Sequence, residues 1–137
     1  LAVGIDAEIL RFDLATFLKP LYTDRAFDLV IESLSNTFDP TLGVQRAYWS
    51  KNFKIGLVFS NASHYANPEV DRLLEAAAVE PDEVKRRDLW YQFQRIIHED
   101  AVSVDLVAAG AQIIASKKVG NLRRERRVST TVSARYG

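Results

Sequence analysis

The stretch Tyr65-Ala66-Asn67-Pro68-Glu69-Val70-Asp71-Arg72-Leu73-Leu74 leaves few options for folding, because it spells a helix start in several independent ways. Asn67 offers a side-chain oxygen to orphan backbone N–H groups, and Pro68 takes the first helical position, where a missing N–H costs nothing. Glu69 and Asp71 put negative charge near the positive end of the helix dipole. Val70, Leu73, Leu74, Ala77 and Ala78 recur at helical spacing and predict one apolar stripe. Pro81 then punctuates and Asp82 caps again. A second helix is expected through Val84, Leu89, Trp90, Phe93, Ile96 and Ile97, with Glu83, Lys85, Arg87, Asp88, Gln92 and Arg95 on its other face. The expectation is a helical hairpin over 67–100 with one buried and one solvated side.

The flanks read as α/β. Residues 5–10 alternate apolar and polar, which suits a strand. Asp13 is a cap candidate for a helix carrying Leu14, Phe17, Leu18 and Leu21, with Pro20 as a kink or boundary. The run from Phe27 to Leu34 suits a short buried strand. Strand, helix, strand in that order predicts a crossover in an α/β sheet. Beyond the hairpin, Val102 to Ala108 and Gln112 to Ser116 are strand-like.

With 137 residues, the chain can bury one modest core. It holds no methionine, so Leu1 is read as other than a translation start and the sequence as a piece of something longer. The absence of cysteine excludes disulfides and thiolate chemistry. The formal net charge is zero, but acids outnumber bases before Lys117 and the basic excess is confined to the tail after it. No stretch has the apolar length needed to cross a bilayer as a helix.

The run Tyr65-x-Asn67-Pro68-Glu69-Val70-Asp71-x-Leu73-Leu74, followed by Ala78, Asp82, Arg86, Leu89, Gln94 and Glu99-Asp100, resembles one large family. It is the peptide- and nickel-type extracellular solute-binding proteins of ABC importers. Gly43-Val44-x-Arg46-x-Tyr48-Trp49-Ser50 and Asn61-Ala62-Ser63-x-Tyr65 are similar to the same family at similar spacing. The resemblance implies an α/β fragment of a two-lobed clamp. Residues 1–112 would be part of its C-terminal lobe, with the hairpin at 67–100, and 113–137 a return strand and basic tail. It further implies a missing N-terminal lobe, and apolar surface that this lobe would cover. The implied partners are a small-molecule or peptide ligand and an ABC permease in the membrane, in a periplasmic or extracellular setting, with no cofactor and no nucleic acid. Val102 stands where the family commonly has a proline.

The family resemblance also points to the loop that follows the Phe27–Leu34 strand, since open α/β sheets hold ligands at the carboxyl ends of strands. The implied ligand-binding candidates are Leu34, Asn36, Phe38, Asp39, Arg46, Tyr48 and Trp49. In peptide-binding members a carboxylate three residues before the Asp-Pro aspartate pairs with the ligand's ammonium group. Here that position is Asn36, whose neutral amide lacks the charge-assisted contact. Nickel-type members tend to carry aromatics at the Leu34 and Phe38 positions, and only Phe38 keeps that character. Local chemistry offers a second reading for each residue. Asn36 and Asp39-Pro40 favour turns, Phe38, Tyr48 and Trp49 fill cores, and Arg46 clamps a neighbouring acid.

Catalytic and metal-binding readings find no residues to carry them. His64 and His98 sit in no zinc or catalytic motif, and His98-Glu99-Asp100 lies at a helix end, where histidine complements the dipole. The alternative function is a regulatory or interaction domain that sets the basic run from Lys117 to Arg127 against an anionic partner. That run lacks interleaved aromatics for base stacking and also suits a solvated chain end.

Overall fold

A computed structural model describes residues 4–33, 39–43, 45–107 and 130–134. Helices and strands are mixed in the described chain, with helix the commoner and only three short strands. In order these are α1 (Leu14–Lys19), a π-helical turn (Pro20–Asp24), β1 (Leu29–Ile31), α2 (Pro40–Gly43) and α3 (Gln45–Tyr48). A 3₁₀ turn (Ser50–Asn52), α4 (Pro68–Val79), α5 (Glu83–Glu99), β2 (Ser103–Val107) and β3 (Thr130–Ala134) follow.

The hairpin of α4 and α5 forms as the sequence dictates. Asn67 Oδ1 accepts from the N–H groups of Glu69 and Val70 at 3.0 and 3.4 Å, and Asp82 Oδ1 accepts from Val84 and Lys85, both at 2.9 Å. Val70, Leu73, Leu74 and Ala77 are buried, and the first three pack with Phe93 and Ile97 of α5 into the main core. Tyr48, Tyr65 and Val102 complete it. Two predicted stripe residues lie at the surface instead. Ala78 is exposed, and so is Val84 in the first turn of α5.

The end of α5 closes by a paired-bond stop. Ala101 N–H donates to His98 O at 3.2 Å and Val102 N–H to Ile97 O at 3.3 Å, with Ala101 in the left-handed region at φ 51°. This is the Schellman arrangement, in which the residue after the cap turns left-handed and the next one packs back on the helix. Val102 does so, fully buried against Ile97's cluster. A proline at position 102 would have no N–H to give this bond.

A smaller core holds Leu21, Tyr22 and Val30, flanked by Phe17, Leu18, Phe27 and Ala62. Asp13 caps α1 by accepting from Thr16 N–H at 3.1 Å, and Pro20 marks the change from α to π geometry. Residues 5–10, expected as a strand, form none. An isolated strand leaves all its ladder N–H and C=O groups without strand partners, and no described strand pairs with this segment. The predicted crossover is therefore absent. β1 instead pairs antiparallel with β3, and so does β2, giving the order β1-β3-β2. The centre strand comes from the tail, where Thr130-Thr131-Val132 supplies β-branched residues that suit a pleat.

β1 is also less buried than expected. Only Val30 faces the core, while Leu29 and Ile31 are 62% and 72% exposed. Ile31 and Val104 both stand opposite Val132, so they share one sheet face, and Val104 is exposed as well. The predicted strand at Gln112–Ser116 lies outside the described residues.

Candidate functional site

Of the seven loop candidates, Leu34, Asn36 and Phe38 lie outside the described residues, as does the basic run from Lys117 to Arg127. The other four are placed, and each has a definite partner. Asp39 starts α2. One of its oxygens accepts from Thr41 N–H at 2.8 Å, and the other pairs with Arg86 of α5. The Arg86 hydrogen bond, with the Thr41 bonds behind it, holds the carboxyl at about 2. Asp39 thereby ties the loop to the hairpin.

Tyr48 lies in the main core, edge-on to Phe93 with ring centroids 5.4 Å apart, and its hydroxyl meets Ser103 Oγ at 2.9 Å. Burial pushes that hydroxyl's pKa up. Trp49 packs at the margin of the same core and donates from Nε1 to Glu75 of α4 at 2.9 Å. Glu75 also pairs with Lys51, which holds its carboxyl below the usual range. Arg46 places its guanidinium 5.3 Å from the centre of the Phe59 ring, a cation–π contact, and pairs with no carboxylate among the described residues.

The motif that carries the family resemblance is accounted for by architecture. Asp71 accepts from Ser50 N–H at 2.9 Å and from the Ser50 hydroxyl, capping the 3₁₀ turn. Tyr65 O–H and Asn67 Nδ2 both donate to Asp100 Oδ2, so the entrance of α4 is fastened to the exit of α5. Asn61, fully buried, donates to Tyr65 O at 2.8 Å and Trp49 O at 3.3 Å and accepts from Ser63 Oγ at 3.1 Å. Its carbonyl accepts from Arg25, whose guanidinium stacks 3.6 Å from the Phe53 ring centre. Asn61 thus ties its own loop to Trp49 through its side chain and to Arg25 through its backbone.

Sequence reasoning missed a second group of residues beside Arg46. Phe59 is half-exposed with φ 61°, and Tyr22 meets it edge-on at 6.1 Å. The Tyr22 hydroxyl reaches Glu32 Oε2 at 3.5 Å. Glu32 follows directly on β1 and is half-buried, and it pairs with no cation among the described residues. Burial raises its pKa. Burial, then the Glu32 charge, pushes the Tyr22 hydroxyl up to about 12, so it stays a neutral donor. The signal was there to read: an acid closing an apolar, β-branched run at a strand's carboxyl end.

No family model and no solved structure matches the chain. By sequence, however, it is a distant and partial homologue of a periplasmic solute-binding protein. The relative is the probable D,D-dipeptide-binding periplasmic protein DdpA of Escherichia coli strain K12. It is 35% identical over 94 residues, which is 68% of this chain and 18% of that protein's length. Among the described residues no helix is long and apolar enough to cross a membrane.

Proposed function

We propose that the chain contributes one wall of a non-covalent binding site for a small, peptide-like solute, in a receptor that delivers its cargo to an ABC permease. The observation that carries this reading is the homology to a dipeptide-binding protein over two-thirds of the chain. The structure supports it by giving the shared-looking motifs a scaffolding role, since a family's common residues ought to be those that hold its frame. Because the aligned stretch is a minor share of the relative, the opposite wall belongs to sequence outside it. Closure of two lobes on the solute is then the working motion. No bond in the solute is made or broken, and the setting is periplasmic or extracellular.

A chimaera tests this. The aligned residues of the Escherichia coli relative are replaced by those of this chain, and D-alanyl-D-alanine binding is followed by calorimetry. Retained binding is expected. A chimaera that folds by circular dichroism but takes no dipeptide would overturn the reading.

A further inference from the structure

The two cores share no residue among those described, and hydrogen bonds rather than a common apolar cluster join them. The larger holds eight buried residues, while the smaller holds three, Leu21, Tyr22 and Val30. Neighbouring residues serve different bodies. Ala62 packs against the smaller core, while the Asn61 side chain donates to Trp49 O and Tyr65 O beside the larger one. Arg25, only 6% exposed, closes the π-helical turn in the left-handed region at φ 50° and crosses the seam. Its Nη1 donates to Asn61 O at 3.2 Å and to Ala62 O at 3.5 Å, with the Phe53 ring 3.6 Å from the guanidinium. Gly56 N–H donates to Tyr22 O at 2.7 Å across the same seam. The edge-on contact of Tyr22 with Phe59 and the pairing of the three-residue β1 with β3 add to these ties.

We infer that the chain is built of two bodies that open separately, with residues 13–31 forming a flap that Arg25 latches onto the hairpin frame. The reason is the uneven share of apolar burial. Burial of apolar surface is the main favourable term in folding, so a core of three residues holds its elements less tightly than one of eight. Neutral hydrogen bonds across the seam add little, because water replaces most of what an opening breaks. Arg25 adds more, since its charge strengthens bonds made in a buried setting. The six-residue α1 is too short to persist alone, so the flap loses its structure when it leaves. Helices α4 and α5 keep their caps and their mutual packing meanwhile. The surface where Tyr22 meets Phe59 then gives way while the hairpin stays folded.

The test is native-state hydrogen exchange of the full chain by NMR, in urea below the unfolding transition. Ala26 N–H, bonded to Pro20 O at 3.1 Å, and Gly56 N–H report the flap and its seam, and the Phe93 and Ile96 amides report the frame. Protection of Ala26 and Gly56 is expected to be about tenfold or more below that of Phe93 and Ile96, and to fall as urea is added. Ile97→Val trims one methylene from the larger core. It should speed exchange at Phe93 and Ile96 about threefold to tenfold and leave Ala26 and Gly56 unchanged, because the frame stays folded while the flap is open. Arg25→Gln should speed exchange at Ala26 and Gly56 about tenfold. If Ile97→Val speeds all four amides alike, or if Ala26 and Gly56 are as well protected as the frame, the chain opens as one unit and the inference falls. If Arg25→Gln leaves Ala26 and Gly56 unchanged, Arg25 is no latch. Should Arg25→Gln fail to fold, the wild-type and Ile97→Val rates still decide between one body and two.

Discussion

Two regions of this molecule treat charge in opposite ways. Around the hairpin, four carboxylates are matched: Asp71 to Ser50, Glu75 to Trp49 and Lys51, Asp100 to Tyr65 and Asn67, and Asp39 to Arg86. Around Phe59, Glu32 and Arg46 stand near aromatic rings without an ionic partner among the described residues. Matched groups specify a frame, because each becomes costly if its partner is removed. Unmatched groups weaken the frame. The difference separates residues that hold the shape from residues that do not.

The largest effects should come from the apolar centre of the matched region. Leu73→Ala and Phe93→Ala each empty a fully packed site and are expected to cost about 2–5 kcal/mol in urea denaturation. A loss inside the ordinary surface range, under about half a kcal/mol, would mean the faces of the hairpin are wrongly assigned. Asn61→Ala comes next. It strands the carbonyls of Tyr65 and Trp49 and the Ser63 hydroxyl, for roughly 2–3 kcal/mol. Asn67→Ala removes a helix cap and should cost about 1 kcal/mol. The smallest change runs the other way. Ala101 holds a left-handed conformation that glycine adopts without strain, so Ala101→Gly should gain on the order of 0.5 kcal/mol. A loss there would argue against the left-handed stop.

The hairpin was legible because its signals are local. A cap, a proline, dipole charges and a 3.6-residue period all lie within a few positions of one another. The Asp13 cap and the Pro20 boundary were legible for the same reason. What escaped reading depends on pairing across distance. Alternation over 5–10 describes a strand only if a neighbour is present, and β3 enters the sheet from a tail whose charge reads as solvated chain. The roles of Asp39 and Trp49 were likewise hidden, since Arg86 and Glu75 lie far along the sequence. For Glu32 and Arg46, residue type was visible, but their common neighbourhood around Phe59 required the fold.

The most direct test of this contrast is stability against pH for the wild type, Asp39→Asn and Glu32→Gln. Asp39 has a folded pKa of about 2, below its ordinary 3.8, so its stabilising contribution is complete above 3.8 and is lost as pH falls toward 2. Glu32 is raised above 4.5, so the folded state binds the proton more tightly; stability from this group is full below 4.5 and declines as pH rises through the raised value. Urea midpoints at neutral pH should therefore fall for Asp39→Asn and rise for Glu32→Gln. The first difference should close in the acid window below 3.8, and the second as Glu32 takes up its proton. If Glu32→Gln is instead destabilised at neutral pH, as Asp39→Asn is, Glu32 belongs to the frame and the proposed division of the molecule is contradicted.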